Sequence, residues 1–153
     1  MAITKLIADS ITSGAIANTP AFSVYQSSGQ NIANTTETTI TFDTEDYDTD
    51  NAFASNTFTV PSGKAGKYFL YAQASSAGWS ASRFYITINK SGSNIAEGER
   101  DNITQYVTAS TSIVEQLSVG DTITARVYHN SGTTRSLVGN NLRTYIYGYR
   151  IIE

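Results

Sequence analysis

From Pro20 onward this chain is a succession of short β-type runs, separated by turn chemistry at intervals of about 8–12 residues, which is the pattern of a sandwich or barrel. The runs are Ala21–Gln26, Glu37–Phe42, Asn56–Val60, Lys67–Ser75, Arg83–Lys90, Gln105–Ser110, Ser112–Ser118, Asp121–His129 and Arg143–Ile152. Between them fall Ser27-Ser28-Gly29, Pro61-Ser62-Gly63, Ser91-Gly92-Ser93-Asn94, Val119-Gly120-Asp121 and Asn130-Ser131-Gly132, each with a Gly or Asn that tolerates positive φ. No helical periodicity follows residue 19, and no internal repeat is present. The expectation is an all-β domain over residues 20–153. At 153 residues the chain has material for one core, since a second would leave both halves marginal.

Residues 1–19 differ. Ile3, Leu6, Ile7, Ile11 and Ile16 are spaced loosely like a helix face, but Ser, Thr and Gly14 interrupt them. The segment is an arm, either disordered alone or laid against another chain as an anchor.

Successive side chains of a strand point to opposite faces, so alternation indicates which side is buried. Phe84, Ile86 and Ile88 face inward in one strand and Ile123, Ala125 and Val127 in another, with Tyr85, Thr87 and Asn89 opposite the first set. Two strands carry apolar residues on both faces. In Lys67–Ser75, Tyr68 and Leu70 oppose Phe69 and Tyr71; in the last strand Tyr145, Tyr147, Tyr149 and Ile151 oppose Ile146, Gly148 and Ile152. An antiparallel sandwich covers one face of each sheet and this chain has no helix to cover the other. Either a second subunit supplies the cover or the Tyr hydroxyls sit at a wet surface.

The inventory of chemistry is short. With no cysteine, neither a disulfide nor a thiolate metal site can form, and the single His129, at a strand end beside Asn130 and Ser131, reads as a satisfied structural histidine rather than a catalytic base. No Gly-rich phosphate loop and no zinc-ligand spacing occur, so no enzymatic activity is expected. The net charge of −3, with ten Lys and Arg scattered, implies neither nucleic acid nor anionic lipid as partner. The start lacks the apolar core of a signal peptide, and no run approaches the roughly 20 apolar residues of a membrane span, so a soluble protein outside the standard secretory route is expected. Asp43, Glu45, Asp46, Asp48 and Asp50 place five carboxylates within eight residues. They could supply several of the oxygens that Ca²⁺ needs, although the glycine of a Ca²⁺ loop is missing; the alternative is a solvated acidic loop. No cofactor is required. Trp79 and Tyr85, with the Ser- and Gly-rich segment 74–81, could form a sugar-stacking surface, or Trp79 could anchor a loop.

Phe58-Thr59-Val60-Pro61 followed by Gly66-Lys67-Tyr68-Phe69-Leu70-Tyr71 resembles the signature of C1q and tumour necrosis factor-like domains. In the same order, Asn89-Lys90-Ser91-Gly92, Leu117-Ser118-Val119-Gly120-Asp121 and Tyr147-Gly148-Tyr149 are similar to three further landmarks of that family, and Ala21-Phe22-Ser23-Val24 resembles its first strand. The resemblance implies a jelly roll of about ten antiparallel strands that assembles as a homotrimer. It places Phe69, Tyr71, Ile146, Gly148 and Ile152 around the threefold axis, with Tyr68, Leu70, Tyr147, Tyr149 and Ile151 in the sandwich core. Glu115 departs from the family, standing where an apolar residue is usual, which weakens the expected pairing of its strand. No collagen-like Gly-X-Y stalk is present.

The phrases Asn18-Thr19-Pro20-Ala21-Phe22, Thr41-Phe42-Asp43-Thr44-Glu45, Tyr47-Asp48-Thr49-Asp50 and Ala65-Gly66-Lys67-Tyr68-Phe69 resemble those of standalone C1q-like proteins of tailed bacteriophages. That likeness implies a virion structural protein: a trimeric decoration (cement) protein on the capsid surface, attached to the major capsid protein through Ile3, Leu6, Ile7, Ile11 and Ile16. The alternative is a receptor-binding head on the tail, recognising host glycan or protein through Trp79 and Tyr85.

Overall fold

The computed structural model describes residues 19–151. The arm residues Ile3, Leu6, Ile7, Ile11 and Ile16, and Ile152, lie outside the described residues.

Among the described residues the structure is all-β. The long strands are β1 (Ala21–Tyr25), β4 (Thr44–Asp48), β6 (Thr57–Thr59), β7 (Gly66–Ser75), β8 (Ala81–Lys90), β9 (Ser93–Ile103), β10 (Thr108–Leu117), β11 (Thr122–His129) and β13 (Tyr145–Arg150). Two-residue pairings form β2 (Asn31–Ile32), β3 (Thr38–Thr39), β5 (Phe53–Ala54) and β12 (Arg135–Ser136). One sheet has the order β10-β7-β13-β1-β4 and the facing sheet β5-β6-β11-β8-β9, with β3 added beside β11 and β12 paired with β2 apart. All pairings are antiparallel. The chain crosses between sheets from β7 to β8, β9 to β10 and β10 to β11, and returns β13 to the middle of the first sheet beside β1. This is jelly-roll connectivity.

The core lies between the sheets. Phe22 stacks on Phe58 at 4.5 Å and on Phe53 at 5.6 Å between ring centroids, and Phe58 tilts against Tyr68. Tyr68 is fully buried, and its hydroxyl donates to the Lys64 carbonyl at 2.6 Å, which satisfies the one polar atom the ring takes inside. Burial pushes that phenol up to about 12. The inward sets expected on β8 and β11 are where the alternation put them: Phe84, Ile86, Ile88, Ile123, Ala125 and Val127 are all fully buried.

Four elements differ from the sequence reading. The acidic run is not a loop but β4, the sheet edge beside β1, where charge discourages further strand pairing. Ser93–Ile103, which carries no apolar alternation, is the long edge strand β9. Its outward residues Glu97, Glu99 and Asp101 sit opposite Thr87, Tyr85 and Arg83 of β8, so cross-strand charge and polar contacts replace the hydrophobic signal. Gln105–Ser110 and Ser112–Ser118 are largely one strand, β10, paired with β7 over ten residues without a break. Glu115 does not weaken that pairing: its carboxylate meets Lys90 Nζ at 2.9 Å across the sandwich edge.

The last strand carries the fourth correction. Ile146 pairs with Ala72 and Gly148 with Leu70, and all four are buried, so Ile146 and Gly148 belong to the core. A Cβ at Gly148 would stand 2.7 Å from Leu70 Cδ2 and 3.0 Å from Phe22 Cε1, so only glycine lets these side chains meet here. Tyr147 and Tyr149 point the other way, and Ile151 is only partly buried.

Candidate interaction face

The outward face of the first sheet is built from the two strands that are apolar on both sides. Tyr71 pairs with Tyr147, Phe69 with Tyr149 and Gln73 with Tyr145, and paired residues share a face. Their rings form a continuous ladder. Phe69 lies 5.5 Å from Tyr149 and 6.1 Å from Tyr147; Tyr71 lies 5.2 Å from Tyr147 and 5.7 Å from Tyr145, both nearly parallel at 22°. Val114, opposite Phe69 on β10, extends the apolar strip and is half exposed. Tyr47 on β4 adds another exposed ring.

One end of the ladder is pinned by Gln73. Its Oε1 accepts from the Tyr71 hydroxyl at 3.0 Å and the Tyr145 hydroxyl at 3.4 Å, while its Nε2 donates to the carbonyls of Leu142 and Arg143. Burial, then the bond to Tyr71, pushes the Tyr145 phenol up to about 12, and burial also raises Tyr147. The face is therefore an uncharged plate of rings with hydroxyls at its margin, suited to packing against another apolar surface.

The other residues singled out from the sequence are spread through the fold. Trp79 is 6% exposed; its Nε1 donates to the Ser136 carbonyl at 2.8 Å and its ring packs on Phe84 and His129. It is a buried loop anchor, and no sugar can stack on it. Tyr85 lies elsewhere, on the outer face of the second sheet, stacked on Tyr128 at 4.8 Å with Arg83 over its ring.

His129 is fully buried. Its Nδ1 takes the Ser131 backbone N–H at 3.3 Å, which leaves Nε2 to donate to the Ile32 carbonyl at 3.1 Å. Ser131 Oγ is within 3.1 Å of Nδ1, but it also donates to the Thr133 carbonyl and accepts from Arg135 Nε, and the far side of the ring meets a carbonyl where a triad would need a carboxylate. Burial lowers the imidazole's pKa and keeps it neutral.

The acidic residues are also engaged one by one. Asp43 accepts from Ser27 N at 2.7 Å and Ser27 Oγ at 2.9 Å, and the backbone bond holds its carboxyl below the usual range. Asp46 accepts from Ser23, Asp48 from Phe53 N at 2.7 Å, and Asp50 faces Lys64 Nζ at 3.4 Å. Among the described residues no three acidic, His or Cys side chains converge as metal ligands, so Asp43, Glu45, Asp46, Asp48 and Asp50 do not form a common site. Nor is any helix of the described residues long and apolar enough to cross a membrane.

Strand order and the aromatic plate define the class: a two-sheet jelly roll of the C1q and tumour necrosis factor type. The C1q domain family model matches residues 21–147, and the chain belongs to that family. The globular domain of zebrafish complement 1qA protein superposes with a TM-score of 0.65 at 20% identity, covering 88% of this chain and 98% of its own. Murine APRIL gives 0.68 at 14% identity over 86% and 98% of the two chains, and the tumour necrosis factor Eiger from S. frugiperda 0.67 at 10% identity over 87% and 92%. At these identities the likeness is one of fold. No curated protein sequence matches the chain.

Tyr147 and Tyr149, which the resemblance placed in the sandwich core, lie instead on the outward face with Tyr145. A signal was available: Gly148, Ala72 and Ala74 are the small residues that a tight interior needs, and the tyrosines opposite them carry hydroxyls that prefer a face near water.

Proposed function

We propose that the chain is a non-catalytic adhesive module that works as a homotrimer, with Phe69, Tyr71, Tyr145, Tyr147 and Tyr149 packed about the threefold axis. The observation that carries this is the ring ladder itself, an uncharged aromatic strip left partly exposed in the single chain. Members of the C1q/TNF family commonly form trimers. Covering each ring would contribute on the order of 1–2 kcal/mol from area removed from water, repeated in three copies by symmetry. Sedimentation equilibrium of the full chain tests it: a mass three times that of the 16.5 kDa chain is expected. A monomer throughout the micromolar range would overturn the reading.

The finer role we propose is a bacteriophage capsid decoration, held to the major capsid protein by residues 1–19. Its support is the set of sequence phrases that resemble those of phage C1q-like proteins, together with the apolar spacing of the arm. Cryo-electron imaging of source particles tests it; many copies at regular capsid positions are expected. A few copies at the tail would replace decoration with receptor binding, and absence from particles would remove the virion role altogether. Deleting residues 1–19 should leave a folded trimer that no longer joins particles.

A further inference from the structure

At one end of the sandwich the loops after β7, β9 and β12 enclose a cavity of about 250 Å³ lined by Ser75, Ser76, Tyr106, Val107, Thr108, Val138, Asn140 and Arg143. Much of its polar wall is already satisfied. Ser75 Oγ bonds Thr108 Oγ1 at 2.7 Å, and Ser76 Oγ donates to the Gln105 carbonyl while accepting from Val107 N. Asn140 Oδ1 is taken by Leu142 N at 2.9 Å. What remains unspent on its lining residues is a set of donors: the Asn140 amide N–H₂, the Tyr106 hydroxyl and the guanidinium of Arg143, a residue whose carbonyl accepts from Ser75 Oγ at 3.1 Å while its side chain makes no hydrogen bond or ion pair with any described residue. No Asp or Glu lines the cavity.

Tyr106 is 72% exposed, an unusual position for so large a ring, yet it is seated. Gly78, in the left-handed region at φ +79°, lies directly under it: a Cβ there would stand 2.9 Å from Tyr106 Cε2 and 3.0 Å from Cζ. The Cδ2–Cε2–Cζ side of the ring lies against Gly78, and most of the ring surface is open to solvent.

We propose that this cavity binds the carboxylate-bearing pyranose of an acidic sugar, with Arg143 and Asn140 on the carboxylate and the open surface of Tyr106 against the ring. A guanidinium pairs with a carboxylate through two parallel N–H···O bonds. Donors without acceptors favour an anion over a neutral sugar, and an apolar C–H face stacks on an aromatic one. The volume lies just under the roughly 300–1,000 Å³ of sites for drug-sized ligands, so it admits one sugar residue. The inference deepens the adhesive reading by naming what the loops hold. Every group it uses belongs to a single protomer, so its failure would leave the trimer standing and a monomeric protein could still bind.

The test is calorimetric and ligand-observed NMR titration of the full chain with three probes: D-glucuronate, D-glucose with the same ring uncharged, and acetate with the charge but no ring. Glucuronate should bind at about 1 mM or tighter, with glucose and acetate at least tenfold weaker. Arg143→Gln should weaken glucuronate by roughly tenfold or more, as loss of a charged hydrogen bond does, and Tyr106→Ser by several-fold. Arg100→Gln, on exposed β9, should change nothing. Because Arg143 and Tyr106 are exposed, the variants should keep the wild-type unfolding midpoint, which is checked alongside. Equal binding of glucuronate and acetate, no binding of glucuronate, or an Arg143→Gln variant that binds as wild type would each overturn the proposal.

Discussion

Tyr71 and Tyr147 face each other across β7 and β13 with ring centroids 5.2 Å apart and planes 22° from parallel, while the residues on either side of them in sequence, Leu70, Ala72, Ile146 and Gly148, are buried between the sheets. Every other side chain of these two strands serves the fold, and the alternate ones form a plate that the fold itself does not need.

That separation makes the two sets distinguishable by substitution. Tyr147→Ser or Tyr71→Ser should lower the oligomeric mass in sedimentation while moving the monomer's unfolding free energy by less than about 1 kcal/mol. Ile146→Ala should destabilise the fold itself by about 2–5 kcal/mol in urea unfolding.

At Gly148 the smallest addition should be costly. Gly148→Ala places a methyl against Leu70, Phe22 and the Phe69 carbonyl, and overpacking of this kind costs about 1–3 kcal/mol. The urea midpoint should fall with little change in slope.

His129 should make stability depend on pH. Its folded pKa is depressed by burial below the ordinary histidine value of about 6.5, so on acidification the unfolded chain takes up the proton first. Its contribution is present above about pH 6.5 and is lost as pH falls from there through the folded pKa. Denaturant midpoints at pH 8 and pH 5 should differ in the wild type, and the difference should shrink in His129→Gln. Asp43, whose pKa is also depressed, loses its contribution only below the ordinary aspartate value of about 3.8, so the two effects separate on the pH axis.

Trp79 is the only tryptophan, so its fluorescence reports one place. Emission should be blue-shifted and resist quenching by iodide, because the indole is buried against Phe84 and His129 with its N–H bonded to the Ser136 carbonyl. Trp79→Ala should cost about 3–5 kcal/mol of stability; a red-shifted, freely quenched emission would contradict the buried position.

The sequence by itself determined the class of fold, because period-two alternation and turn residues act locally. The inward sets of β8 and β11 and the turns around Gly92 and Gly120 follow from residues a few positions apart. Where both faces of a strand are apolar, alternation has a period but no sign. Which set of β13 turned inward was decided by register against β7 and by the space that Leu70 and Phe22 leave only for Gly148. For the same reason, β4 and β9 carried no hydrophobic signal: their pairing comes from backbone bonds and polar cross-strand partners distant in sequence. Trp79 was open to two readings, and the bond to Ser136 that buries it spans 57 residues, a distance that only the tertiary structure closes.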